Sequence, residues 1–340
     1  MLSSALTRGI MDIHLQAARA GEIALSPELP ASLLPLQAPD SICFGAAGPF
    51  GHVLFQELDG EGISIRHSIL YFEEEDELFY RSEEPALRLQ VVLNNSYYSE
   101  AEGLGEIVLH ERGFSLNYVP FVHQRLEMHA RDSYTHLSLY YRPEDLGALQ
   151  NSFPGLPEFL QKVRAGEPSL FNLHYCIARG AMMALVNNIL ECPYTGMVRR
   201  LYLNSLSMEI LVLALVRIAE NQDKPPPPAV GREEAERVYA AKAKVLTRIE
   251  ENVTLPMLAE LTGQSPYKMN KDWKSIYGIG AMEWVHETRM EIAHHQLQDL
   301  KLPLIKVARA SGYTTVTAFT LAFKNYFGYN PGFTRKSDPI

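Results

Sequence analysis

Apolar positions change period twice along this chain. Between residues 40 and 141 they fall in short runs: Gly51–Leu58, Ile63–Tyr71, Leu87–Leu93, Ile107–Leu109 and Phe114–Val119, separated by Gly, Asn and charged residues. Thr135, Leu137, Leu139 and Tyr141 alternate with Tyr134, His136, Ser138 and Tyr140, which predicts a half-buried strand. Many short strands at this spacing predict a small barrel or a double-sheet fold. From 144 to 220 the period lengthens, and Pro157–Lys162, His174–Leu190 and Met197–Glu220 read as helices. The last carries Leu201, Leu206, Ile210, Leu213 and Ile218 and becomes apolar on nearly every side. Such a helix must be covered, either by a core or by a second subunit.

Asn221–Gly231 contains four consecutive prolines, which cannot continue a helix and favour an extended spacer. The chain therefore divides into 1–220, a linker at 221–231, and 232–340. The last part reads as all-helical. Arg232–Glu251 places Val238, Ala241, Val245, Leu246 and Ile249 on one face. Thr254 can cap a short helix Leu255–Leu261 with Pro256 in its first turn, and Ser265 can cap the next, with Pro266 at its first position. That helix runs to Tyr277 and stops at Gly278. A long helix, Ala281–Leu297, follows. The short-helix, glycine-turn, helix pattern then recurs: Leu304–Ala310, Ser311-Gly312-Tyr313, and Thr315–Phe327 ended by Gly328.

Charge sharpens this division. The chain has 31 Lys+Arg against 40 Asp+Glu, a net −9. Residues 232–340 nevertheless carry 15 Lys+Arg and 12 Asp+Glu, so the basic excess is confined to the helical part. Nucleic-acid binding responds to such a local field more than to the total. Three widely spaced cysteines, Cys43, Cys176 and Cys192, argue against a disulfide framework, and no spacing suggests zinc. Arg8, Asp12, His14 and Arg19 interrupt any signal-like apolar core, and the run Ile210–Val216 is too short to span a bilayer. The expectation is a soluble, cytoplasmic protein without a membrane partner.

Two helix–turn–helix units about fifty residues apart, joined by one long helix, can each insert a second helix into a major groove. In the first, Met269, Trp273 and Ile276 share an apolar face, leaving Tyr267, Asn270, Lys271 and Lys274 for DNA. Asn suits adenine's N7 and N6; Lys suits guanine or a phosphate. In the second, Phe319, Phe323 and Phe327 form the core stripe, and Val316, Thr317, Thr320 and Leu321 lie on or near the opposite face. Lys274 and Lys324 are expected to contact phosphate. Residues 250–336 resemble the DNA-binding domain of the AraC/XylS transcription regulators. The resemblance rests on Leu258-Ala259, on Ser265–Lys274 with Gly278, on Arg289 and Ala293, and above all on Phe323–Arg335. It implies base-facing roles for Tyr267, Asn270 and Lys271, and for Val316, Thr317, Thr320 and Leu321. Many relatives have Arg where this chain has Leu321.

The resemblance further implies an α+β protein: an N-terminal β-barrel-like (cupin-like) domain with a helical dimerisation region, then the all-α domain. It implies promoter DNA, RNA polymerase, a small-molecule effector and a second copy of the chain as partners. Arg199–Leu215 also resembles the pyochelin-type (ferric siderophore) regulators. No cofactor and no catalytic residue are expected. His123, His129 and His136 lie on or near two strands and leave a metal site conceivable, with scattered hydrogen-bonded histidines as the plainer reading. The cupin HxH pattern is absent. Glu73–Glu77 reads as a solvated turn, and Gly45–Gly51 lacks the lysine of a phosphate loop. Phe44, Phe55, Tyr71, Phe72, Tyr97, Tyr98 and Tyr118 form sheet core or line an effector pocket. Two rivals remain: a barrel enzyme with a helical accessory domain, and a regulator controlled by a protein partner.

Overall fold

The computed structural model describes residues 13–59, 62–172, 176–221, 230–298 and 302–334. All four prolines of the linker and Arg335 lie outside them. Contacts divide the chain into two compact units: Met1–Ala178 with Leu185–Pro225, and Arg179–Ala184 with Pro226–Ile340.

The first unit is built on antiparallel strands. β1 (His14–Ala17), β2 (Gly21–Ile23), β6 (Asp76–Ser82), β8 (Tyr97–Ala101), β9 (Gly105–Leu109) and β11 (Val122–Met128) make a sheet in the order β2-β1-β6-β11-β8-β9. The facing sheet runs β13-β10-β7-β12-β5-β4-β3. Its strands are β3 (Ile42–Gly48), β4 (Gly51–Asp59), β5 (Ser64–Phe72), β7 (Ala86–Asn94), β10 (Gly113–Val119), β12 (Ser133–Tyr140) and β13 (Ser169–Leu170), with β14 (Cys176–Ile177) paired to β10. One core joins the inner faces, with Leu15, Leu78, Tyr97 and Leu126 from one sheet meeting Val53, Phe55, Leu70 and Tyr134 from the other.

This is the double-sheet alternative. Among the described strands no pairing closes the two sheets into a barrel. Strands begin at His14, well before residue 40. The half-buried reading of 134–141 also needs revision. β12 is flanked by β7 and β5, and Tyr134, Leu137, Ser138 and Leu139 are all buried, because both faces of this central strand are covered. In the acidic run Glu73–Glu75 are exposed, but Asp76 is buried and accepts the Arg19 and Glu77 backbone N–H groups at 3.0 and 2.8 Å.

Helices α1 (Pro143–Gly147), α2 (Leu156–Ala165), α3 (Ala181–Leu190) and α4 (Gly196–Asn221) follow the sheets. The expected helix from His174 is shorter, because Cys176–Ile177 pairs with Gly113–Phe114 as a strand. α4, at 26 residues, is long and apolar enough to cross a membrane by length and composition. Here it buries Leu203, Leu206, Ile210, Leu211 and Leu215, and its Ser207 carbonyl accepts the Tyr141 hydroxyl at 2.8 Å. All three cysteines are buried, and none is in a disulfide.

The second unit is helical: α5 (Arg232–Leu246), α6 (Leu255–Thr262), α7 (Pro266–Tyr277), α8 (Ala281–Gln298), α9 (Leu304–Ala310), α10 (Val316–Phe327) and α11 (Pro331–Thr334). α5 stops at Leu246, which is 39% exposed rather than part of the buried face. Two cores form. One gathers Val238, Leu258, Met269, Trp273 and Trp284; the other gathers Met290, Leu297, Val307, Phe319 and Phe323. α8 supplies residues to both, so it is the shared wall of the two helix–turn–helix units.

Candidate nucleic-acid interface

Local chemistry sets each unit. The Thr254 hydroxyl accepts the Met257 N–H at the start of α6, and the Ser265 hydroxyl accepts the Lys268 N–H at 3.3 Å at the start of α7. These caps satisfy donors the first turn leaves open. Gly263 joins the helices at φ +63°, a conformation that costs an L side chain about 1–2 kcal/mol. In the second unit Thr315 accepts the Ala318 N–H at 3.2 Å, and Gly312 turns at φ +80°.

α7 segregates its residues sharply. Met269, Trp273 and Ile276 are essentially inaccessible, and Trp273 packs edge-on to Trp284 with ring centroids 5.3 Å apart. Tyr267 is 81% exposed, and Lys268, Lys271 and Lys274 are exposed beside it. At successive steps of four and three, Tyr267, Lys271 and Lys274 form one outward stripe. Lys268 was not singled out from sequence. Its Nζ lies 2.7 Å from the carboxylate of buried Asp272, which also accepts the Gln264 amide at 2.8 Å. That lysine is already partnered.

Asn270 also has a structural contact. It is half-buried, and its Oδ1 accepts the Ala281 N–H at 2.9 Å. A Cβ on Gly280 would come within 3.1 Å of the same oxygen. Its Oδ1 thus helps to hold the start of α8, and the residue is less exposed than Tyr267 and Lys271. A purine-reading amide and a helix-start acceptor look identical in sequence, because only the path of the chain after Gly278 separates them.

In α10 Phe319 and Phe323 are fully buried, with centroids 5.7 Å apart, and half-buried Phe327 extends the stack at 4.5 Å from Phe323. Thr317, Leu321 and Lys324 are exposed, Leu321 at 62%; Val316 and Thr320 are half-buried at the edge of that face. Asn325 is exposed four residues after Leu321 and was missed. So were Lys306 and Arg309, both exposed on the bracing helix α9. The first unit thus carries its cations on the insertion helix, whereas the second carries most of them one helix earlier.

Arg289 of α8 ties the units together. Its Nε and Nη2 donate to the carbonyls of Ile249 and Glu251 at 2.9 and 2.6 Å, and its guanidinium lies against Gly312. Burial lowers its pKa. Three further contacts seat the second unit on α8: Tyr313 with His286 at 3.1 Å, Tyr326 with Glu291 at 3.0 Å, and Tyr329 with His294 at 3.1 Å.

The histidines considered for a metal are not brought together. His123 sits between Glu83 and Glu102 at 3.0 Å each, on the surface. His129 follows the end of β11 and donates its backbone N–H to the Tyr134 hydroxyl. His136 faces the inter-sheet interior, where burial pushes its pKa down to about 3.

Residues 50–230 match the family described as the regulatory protein PchR N-terminal domain, and residues 258–337 match a helix-turn-helix domain. The chain belongs to the AraC/XylS family of transcription regulators, with a PchR-type N-terminal domain. Regulatory protein PchR of Pseudomonas aeruginosa is 29% identical over 152 residues, spanning 45% of this chain and 50% of that protein. The HTH-type transcriptional regulator GlxA of Rhizobium meliloti is 30% identical over 99 residues, 29% of this chain and 31% of that protein. The chain therefore aligns with half or less of each of these relatives. Among solved structures, the C-terminal domain of AraT, a response regulator from Geobacillus stearothermophilus, is 28% identical, covering 31% of this chain and 87% of that one with a TM-score of 0.29.

Proposed function

We propose that this AraC/XylS member binds promoter DNA sequence-specifically and regulates transcription. The observation that carries the reading is the outward face of the two capped helices. Tyr267, Lys271 and Lys274 on α7, and Thr317, Leu321 and Lys324 on α10, are solvent-facing while the aromatic faces are fully used in packing. Lys271 reads guanine, with Tyr267 beside it. Val316, Thr317, Thr320 and Leu321 offer methyl and hydroxyl contacts, and Lys274 and Lys324 hold phosphates. With Leu321 in place of a bidentate reader, the second unit contributes mainly backbone grip, aided by Lys306 and Arg309.

The two-sheet unit binds a small-molecule effector and α4 pairs the chain with a second copy, so the regulator acts as a homodimer that engages RNA polymerase at the promoter. The effector acts by favouring one arrangement of the dimer over another. Selection of bound duplexes from a random library tests the core of this. Enrichment of a site with two contacted segments about 10–10.5 base pairs apart is expected. Recovery of no consensus would sink the sequence-specific reading.

A further inference from the structure

The interior between two packed sheets is ordinarily apolar, since its residues alternate with the outward polar ones. Here one end is not. β5 presents Arg66 and Ser68 before Leu70 and Phe72; β7 presents Arg88 and Gln90 before Val92; β12 presents Tyr140, Ser138 and His136 before Tyr134. Strand register concentrates these polar positions. Ser138 stands opposite Gln90 on one side and Arg66 on the other, and Tyr140 opposite Arg88 and Ser64. From the facing sheet Tyr80, Tyr97 and Gln124 close over the same space.

The charge balance of this space is incomplete. Arg66 is fully used: it pairs with Glu57, donates to the Tyr80 hydroxyl at 3.1 Å and lies 5.3 Å from the Tyr140 ring centroid. Glu57 is used as well, because it also accepts the Ser64 hydroxyl at 3.0 Å. Arg88 is 92% buried by its 8% exposure, yet its hydrogen bond is a single one to the Asn117 Oδ1 at 3.3 Å. Among the described residues it makes no ion pair. His136 adds no charge, being held neutral, and its Nδ1 has no hydrogen-bond partner. Two buried guanidinium groups are therefore accompanied by one buried carboxylate, Glu57, which pairs with Arg66. An unpaired buried charge is strongly unfavourable and marks a place where a counter-charge belongs.

The space has two parts. Beside Arg88, Gln90, Gln124 and His136 there is room for about 20 Å³, the size of one water or one carboxylate oxygen. Arg66, Tyr80 and Tyr140 also wall an open cleft of about 160 Å³, lined further by Glu57, Val122 and, at its exposed rim, Glu84. A cavity of about 150 Å³ takes a benzene ring. We propose that this end of the two-sheet unit binds a small aromatic acid, its ring in the outer cleft and its carboxylate on Arg88. The inference rests on the effector reading above and gives that effector a chemical class. Gln90, Gln124 and the Tyr97 hydroxyl are within the same chamber and orient the acid; Tyr80 and Tyr140 flank the ring.

The test uses the full chain and two probes of equal shape, benzoate and benzamide, at matched ionic strength. Benzoate is expected to raise Tm by about 3 °C and benzamide to leave it unchanged. Arg88→Gln is expected to abolish the benzoate shift. Arg88→Met, which keeps much of the stem and removes the surplus charge, is expected to raise the Tm of the ligand-free protein. Equal stabilisation by both probes overturns the carboxylate class while leaving effector binding intact. Stabilisation by neither overturns the aromatic-acid proposal, as does a benzoate shift that survives Arg88→Gln. A fall in ligand-free Tm for Arg88→Met makes Arg88 a structural residue and overturns the proposal without any probe.

Discussion

Lys271 and Asn270 sit side by side in sequence and do different work. Lys271 projects from α7 as an exposed side chain, whereas the Asn270 Oδ1 holds the Ala281 N–H. Substituting Lys271 with Ala should weaken binding to a selected operator by about 1–3 kcal/mol and leave binding to random duplex much less affected. Fluorescence anisotropy on the two duplexes decides this, and equal losses on both would reject base readout. Asn270→Ala should instead cost about 1 kcal/mol of folding stability, as the loss of a helix-start acceptor does. Denaturant midpoints read it; an unchanged midpoint with lost operator selectivity would restore the amide to a base-reading role. Lys274 and Lys324 are proposed to neutralise phosphates. Each Ala substitution should flatten the dependence of log K on log salt by about 0.9.

At the scale of elements, α8 with its Arg289 sets the spacing between the insertion helices. Arg289 reaches two carbonyls in the turn that follows α5 and packs against the φ +80° glycine of the second turn. A Cβ on Gly312 would lie 2.8 Å from the Arg289 Nη1. Gly312→Ala therefore combines an unfavourable backbone with displacement of the clamp, and more than about 1 kcal/mol of destabilisation is expected. Arg289→Lys is expected to keep the fold and lose operator affinity, since one ammonium cannot span both carbonyls. An Arg289→Lys protein with full operator affinity would show that the clamp is dispensable. α4 makes a similar point about pairing. Met197, Leu201, Val212 and Val216 are exposed along one side of it. Met197 with Val216, and Leu201 with Val212, are each equidistant from a point between Leu206 and Ser207. An antiparallel two-fold partner would match each to the other, as an isologous interface requires. Leu201→Glu is expected to give monomers by light scattering.

At the scale of the whole molecule, buried histidines couple stability to pH. Burial lowers the pKa of His67 and His110 to about 4 and of His136 to about 3. Each stays neutral in the fold, while the unfolded chain takes up a proton below about 6.5. The unfolded state then binds more protons, so stability present above pH 6.5 is lost as pH falls toward 4. The slope is about 1.4 kcal/mol per pH unit for each histidine. Urea midpoints between pH 7 and 5 should fall accordingly, and His136→Gln should reduce the fall; a flat profile would rule out their neutral burial.

Period and punctuation were enough to locate the C-terminal helices, because Thr254, Ser265 and Thr315 act as caps within their own turns and Gly263, Gly278, Gly312 and Gly328 stop or turn the chain locally. The aromatic core of each insertion helix was likewise legible from spacing of three and four. Everything that depends on distant partners was not. Sheet order, the coverage of β12 on both faces and the strand at Cys176 come from pairings between segments more than sixty residues apart in places, as for His14 with Arg81. Asn270 finds a hydrogen-bond partner eleven positions on. Nothing in their sequence neighbours sets Arg66 and Arg88 apart; strand register brings them to one end of the inter-sheet space. Local chemistry writes helices and caps into a sequence; which side chains share a buried space is written only when the chain closes on itself.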